Sequence, residues 1–313
     1  MSDPLVASQR SNAAAAAIAS TYFHPTLLED VHVLDVLELS GSQYAAANYL
    51  VMHQTTVSRS LRKLQHDLEL EPDRRSAACR HGRNTCLDML RLACRAHRLM
   101  KGFLRIGTDG LHQTLLSRQV SLQPAPARFR RADHWVELIR QGLLDAAIVS
   151  SWGMEKALPL GHLPPWRGVD VRLLGTLPLW LMARSRSVEG ILVPNRSAVP
   201  LLHQALEGNG HNLVSQPRAA QEPAAWLKCM RDRELALPLC PGLLGAAWLS
   251  DQSLSTLPDL PPLQETLWLL LAQGLELPAT AARSLHVIQR RVRRASIYEP
   301  RGGLDARNYA LNA

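Results

Sequence analysis

The sequence predicts an all-α N-terminal part followed by a larger α/β part. Three observations carry that division. Of 20 prolines in 313 residues, only Pro72 falls between Thr26 and Gln123. Proline breaks helix interiors, so this stretch permits helices. All seven tryptophans lie at or after Trp135. Apolar residues recur at helical spacing in the first part, whereas in the second, short apolar runs alternate with amphipathic stretches.

Pro25-Thr26 opens the first helix, with Thr26 as cap and Glu29 and Asp30 in the first turn. Leu27, Val31, Leu34 and then Val36 or Leu37 form its apolar stripe, and Ser40-Gly41 ends it. Ser42 caps a second, short helix over 43–50, rich in Ala45, Ala46 and Ala47, which permit close approach. A turn at 51–53 leads to a third helix, from Gln54 to Leu68, with Val57, Leu61, Leu64 and Leu68 on one face. Its opposite face carries Thr55, Ser58, Arg59, Arg62 and Lys63. Short hydrogen-bonding side chains and cations on one helical face suit a major groove and its phosphates. Helix, tight turn and polar-cationic helix make a DNA-binding arrangement.

Residues 76–85 read as a loop or wing. A fourth helix spans 86–103, where Met89, Leu92, Ala96, Leu99 and Phe103 follow 3-4-3-4 spacing. That stripe is either a seam for a second helix or a face packed on the chain's own core. Charge supports the N-terminal assignment. The chain carries a net +8, and residues 59–101 hold 11 Lys or Arg against 5 Asp or Glu. Since 31 of the 35 basic residues are Arg, the global figure alone says little about a polyanion partner.

Other classes find no support. The longest apolar runs, 177–183 and 267–272, are too short to span a bilayer. The N-terminus lacks the apolar core of a signal peptide, so the expected compartment is the cytoplasm. The five cysteines show no CxxC spacing, which points to reduced thiols, a Cys229–Cys240 redox pair being the alternative. No GxSxG, P-loop, GxGxxG or metal-ligand spacing is present, so no catalytic residue, metal or cofactor is expected.

Residues 34–68 resemble the winged helix-turn-helix of LysR-type transcriptional regulators. The matching residues are Gly41-Ser42, Ala46-Ala47, Leu50, Gln54, Val57-Ser58-Arg59, Leu61, Leu64 and Leu68. The departures are His53 before the Gln, Thr55-Thr56 after it, Gln65, Glu69 and Pro72-Asp73, where the family anchors its wing with Leu-Phe. The resemblance continues more faintly through 103–110, 134–151 (with Gly142 and Asp145), 173–187, 226–241 and 266–292. In 226–241, Arg231-Asp232-Arg233-Glu234 replace a Gly-rich turn.

The resemblance implies five segments: a flexible extension at 1–24, a winged helix-turn-helix DNA-binding domain at 25–85, a linker and dimerisation helix at 86–102, a two-lobed periplasmic-binding-protein-like effector domain at 103–298, and a tail at 299–313. It also implies a homodimer or homotetramer on double-stranded DNA. Gln54, Thr55, Ser58 and Arg59 would lie near base edges, with Arg62 and Lys63 at phosphates and Ser42 capping the second helix beside a phosphate. A small-molecule effector would sit at strand ends, at Thr108, Asp109, Ser150, Ser151, Arg196 and Ser197. The basic cluster at 288–294 reads as the solvated face of a last helix, with Ile288 and Val292 turned inward. A second expectation, from a different class, is a degenerate regulator that acts as the interaction partner of another regulator.

Overall fold

The computed structural model describes residues 22–159, 162–216, 223–244, 254–257 and 261–297. The expected tail at 299–313 and most of the 1–24 extension lie outside these residues.

Three helices open the described chain: α1 (Glu29–Ser40), α2 (Gln43–Leu50) and α3 (Gln54–Asp67). Thr26 heads a short 3-10 turn instead of capping α1, and no side chain caps that helix. Val31, Leu34, Leu37, Ala46, Val57, Leu61 and Leu64 close a small core between the three. Gly41 ends α1 with a φ of 76°, a left-handed backbone that a side chain resists. The segment 76–85, expected to be a loop or wing, contains no strand, nor do residues 69–75 before it, and Thr85 already begins the next helix. Pro72 and Asp73 are exposed there. Leu70 packs into the helical core instead, while Ala78 and Cys79 pack into the core of the following part. Apolar anchors therefore exist, beside the exposed positions 72 and 73 and not at them.

The fourth helix, α4 (Thr85–Met100), is capped by Asn84, whose side chain accepts from the Leu87 N–H. Its buried face is Leu87, Arg91, Cys94 and Arg98, not the 3-4-3-4 stripe. Met89, Leu92 and Ala96 are exposed, whereas Leu99 and Phe103 are partly buried.

Beyond α4 the chain is α/β. Among the described residues the remaining α-helices are α5 (Ala132–Arg140), α6 (Pro200–Gly208), α7 (Pro223–Asp232) and α8 (Ala279–Ser296). The strands are β1 (Leu104–Gly107), β2 (Leu122–Pro124), β3 (Ala146–Ser150), β4 (Val169–Ala183), β5 (Gly190–Val193), β6 (Leu213–Ser215), β7 (Leu235–Leu239), β8 (Ser255–Thr256) and β9 (Leu263–Ala272). Their order is β2-β1-β3-β9-β4-β7-β5-β6, with β8 on β4. The long strands β4 and β9 cross between two lobes. From Val169 to Leu179, β4 pairs with β9; from Trp180 to Met182 it pairs with β7. Lobe one buries one sheet face under α8, through Ala281, Leu285, Ile288 and Val292, and the other under α5, through Trp135, Val136, Leu138 and Ile139. The basic cluster of α8 thus has Ile288 and Val292 inward, as its spacing predicts.

The helical part is docked on lobe one. Leu39 of α1 joins the core beneath α5. Tyr22, expected to be flexible, is buried, and its hydroxyl lies 2.8 Å from His97 Nδ1. Asp35 of α1 accepts from Arg91 Nε of α4 at 2.8 Å and Arg105 Nη1 of β1 at 3.1 Å. Asp145, just before β3, accepts from Arg98 and Arg95 of α4. The +6 of residues 59–101 is thereby corrected as a measure of DNA affinity. Three of its cations, Arg91, Arg95 and Arg98, face carboxylates inside the protein.

Candidate functional site

Two places gather the residues singled out by the sequence. The first is the outer face of α3. Ser42 stands at the N-cap of α2 in an extended conformation, and its Oγ accepts from the Ala45 N–H at 3.1 Å. Val51, with φ 54°, turns the chain into α3. Val57, Ser60, Leu61 and Leu64 face the core. That leaves Gln54, Thr55, Thr56, Arg59, Arg62 and Lys63 exposed, with Ser58 half-buried at the edge. Gln54 Nε2 donates to Gln43 Oε1 at 3.4 Å, tying the starts of α2 and α3 together.

Among the described residues Arg59 and Arg62 form no ion pair, so both guanidiniums are open to a polyanion. Lys63 differs. Its ammonium lies 2.6 Å from Asp30 Oδ2 on α1, and the hydrogen bond to that carboxylate raises its pKa. To reach a phosphate it must exchange this partner.

The second place is the junction of the lobes. Thr108, Asp109, Ser150 and Ser151 come together at the C-terminal ends of β1 and β3. Each is engaged within the chain. Thr108 Oγ1 donates to the Ile148 carbonyl at 3.3 Å. Asp109 Oδ1 accepts from the N–H groups of Leu111 and His112 and lies 2.8 Å from His112 Nδ1. The other ring nitrogen, His112 Nε2, is 3.0 Å from Glu265 Oε2 on β9. The Ser150 hydroxyl donates to Glu265 Oε1, and Ser151 Oγ accepts from the Thr266 N–H.

His112 and Glu265 were not anticipated from the sequence. Both are almost fully buried. Burial disfavours the imidazolium, but the carboxylates of Asp109 and Glu265 outweigh it and hold the His112 pKa well above its ordinary value. A chain of Asp109, His112, Glu265 and Ser150 therefore fills the junction. Beside it, among the described residues, Leu111, His112, Leu179, Cys240 and Leu243 line a cavity of about 10 Å³. That holds about one water molecule, far below the roughly 300 Å³ at which small-molecule sites begin.

Among the described residues Arg196 and Ser197 make no hydrogen bond to this group. Arg196 pairs with Glu207 at 3.0 Å on the exposed side of α6, and Ser197 donates through its N–H and hydroxyl to Asn195 Oδ1. All five cysteines are free, including Cys229 and Cys240. Burial, reinforced by Glu265, pushes the Cys240 thiol up to about 12. No group of three metal-binding side chains is found among the described residues. No helix there is long and apolar enough to cross a membrane.

No family model matches the sequence, and no curated protein matches it either. Among solved structures the chain is similar to ArgP from Mycobacterium tuberculosis, at 19% identity and a TM-score of 0.43, covering 87% of this chain and 98% of that one. It is also similar to full-length CbnR complexed with its target DNA, at 14% identity and a TM-score of 0.42, covering 84% and 99%. A third is LysG from Corynebacterium glutamicum with bound effector Arg, at 16% identity and a TM-score of 0.39, covering 86% and 98%. CbnR is described as a LysR family transcriptional regulator.

Proposed function

We propose that the chain is a sequence-specific DNA-binding transcriptional regulator of LysR type that acts in the cytoplasm. The observation that supports this best is the outer face of α3: Gln54, Thr55, Arg59, Arg62 and Lys63 stand exposed on a helix whose opposite side is packed into a three-helix core. Thr55, Gln54, Ser58 and Arg59 read base edges, and Arg62 and Lys63 hold phosphates. Ser42 fixes α2 against the backbone. The exposed stripe Met89, Leu92 and Ala96 on α4 pairs with the same stripe of a second copy, which sets two recognition helices on one duplex. Genome-wide mapping of bound DNA tests this reading: a set of shared, interrupted palindromes is expected, and uniform coverage without enrichment contradicts it.

The filled junction favours a second reading of the regulation. An effector at Thr108, Asp109, Ser150 and Ser151 has to open the lobes and displace His112 from Asp109 and Glu265. A regulator that reads DNA, or partners another regulator, without a small-molecule effector fits the closed junction more simply. Under that reading, metabolite extracts leave the thermal unfolding midpoint unchanged. Under the first, one fraction raises it.

A further inference from the structure

The helix-turn-helix is joined to lobe one through α4, but lobe one also grips it directly. On α1, Asp35 accepts from Arg105 Nη1 of β1 at 3.1 Å, and Arg105 Nη2 lies 2.9 Å from His32 Nδ1. The carbonyls of Glu38 and Leu39, in the last turn of α1, accept from Arg130 Nη2, where the helix dipole favours a cation. On α2, the Tyr49 hydroxyl donates to the carbonyl of Pro124, which ends the edge strand β2. The third helix is tied to the same place through the loop that follows it. Gln65 Nε2 of α3 donates to the His81 carbonyl at 3.3 Å, and the His81 N–H donates to Glu38 Oε1 at 2.8 Å.

The grip is a buried one. Asp35 and Arg105 are almost fully buried, and Leu39 lies in the core beneath α5. None of Asp35, Tyr49 and Arg105 belongs to the exposed face of α3. These residues act on a DNA duplex only through the direction in which they hold that face.

That direction matters once two copies pair along α4. Half-site spacing on DNA follows from the separation of the two recognition helices. One extra base pair between half-sites moves the second by about 3.4 Å along the duplex and about 35° around it. A helix-turn-helix that swings on its linker follows that move. One fastened to lobe one at all three helices does not.

We propose that Tyr49 and Arg105 are positioning residues: by fastening the helix-turn-helix to lobe one, they set the separation of the two α3 helices in a pair and so the gap between half-sites that the pair accepts. This rests on the DNA-binding reading of α3 and on pairing through α4, and it adds lobe one as the part that aims the recognition helix.

The test is a titration of the full chain, as wild type, Tyr49→Phe, Arg105→Met and the double variant. Tyr49→Phe removes only the hydroxyl, and Arg105→Met leaves Asp35 paired with Arg91 at 2.8 Å. The probes are duplexes with two copies of the half-site recovered by genome-wide mapping, the gap varied one base pair at a time, and one duplex with a single copy. The wild type is expected to prefer one gap. Tyr49→Phe is expected to lose about fivefold of that preference, the order that one hydrogen bond supplies, and Arg105→Met at least as much. Affinity for the single-copy duplex and its salt dependence stay at the wild-type values. A merely structural role lowers affinity for every duplex alike and keeps the gap preference, and that result overturns the proposal. A wild type that binds with a clear salt dependence but accepts all gaps equally also overturns it, however the variants fold, and leaves the DNA-binding reading standing. A wild type whose binding is absent or indifferent to salt overturns both.

Discussion

Arg98 of α4 and Asp145 at the head of β3 form an ion pair from which water is fully excluded. Arg98 Nε and Nη2 lie 3.0 and 2.7 Å from the two carboxylate oxygens, and both side chains have no exposed surface. Burial alone would raise the Asp145 carboxyl. Arg98, Arg95 and the Arg105 N–H hold it below its ordinary value instead. With the Asp35 pairs to Arg91 and Arg105, this seam makes α1, α4 and lobe one one packed unit.

Removing one partner of such a pair leaves the other charge buried and uncompensated. Asp145→Ala is therefore expected to cost about 3–5 kcal/mol in urea unfolding. Replacing both, as Arg98→Met with Asp145→Leu, is expected to recover most of that loss. A single variant as stable as the wild type contradicts the buried seam.

Stability is expected to fall on both sides of about pH 6.5, the ordinary histidine value. Burial, with Arg105 and Arg98 nearby, lowers His24 to about 3 and His32 well below 6.5. As pH drops, the unfolded chain binds protons that these folded residues refuse, so stability is lost toward acid. His112 is shifted the other way. Its contribution is complete below the unfolded value and is lost as pH rises through the raised folded one. The unfolding midpoint followed against pH checks both limbs. His24→Gln with His32→Gln flattens the acid limb, and His112→Gln flattens the alkaline one. A midpoint that is level from about pH 5 to 8 contradicts the assignment.

Much of the helical part was legible because its pattern is local. Val57, Leu61 and Leu64 set the buried side of α3 by spacing alone, and Ser42 announced its cap. The seam was hidden for the opposite reason. Arg91 and Arg98 were counted with the DNA-directed charge, because a cation on a helix is usually solvated. Their partners stand 56 and 47 residues away, out of reach of any local pattern. One signal was available: Leu87, Arg91, Cys94 and Arg98 fall on a single helical face with an apolar first member. The lobe junction was half legible. Asp109 and Ser150 follow from strand ends, whereas Glu265 lies 153 residues from His112. Pro72-Asp73 marked the altered loop, though not the apolar residues, Leu70, Ala78 and Cys79, that anchor it.

The exposed stripe of α4 predicts a second copy. Met89 and Leu92 are 57% and 54% exposed, unusual for apolar residues on a helix whose other face is fully packed. Met89→Glu with Leu92→Glu is expected to give monomers by sedimentation and to leave the unfolding midpoint of the monomer near that of the parent chain. A wild type that is monomeric at micromolar concentration contradicts the pairing.

Arg59 and Arg62 are expected to separate. Arg59→Ala costs about 1–3 kcal/mol on a preferred site and narrows the gap between preferred and random duplex. Arg62→Ala weakens all sequences alike and lowers the salt slope by about one unit. Lys63→Ala has a smaller effect on the slope, because Lys63 gives up Asp30 to reach DNA. Equal loss of discrimination in all three variants contradicts the division into base and phosphate contacts.

On the proposed function, the outer face of α3 binds the DNA backbone and bases. Fluorescence titration of the full chain with duplex DNA at several salt concentrations tests it most directly. Affinity falling steeply with salt, with a slope set by several phosphate contacts and reduced in Arg62→Ala, is the predicted result. A slope near zero, or no binding at low salt, contradicts it.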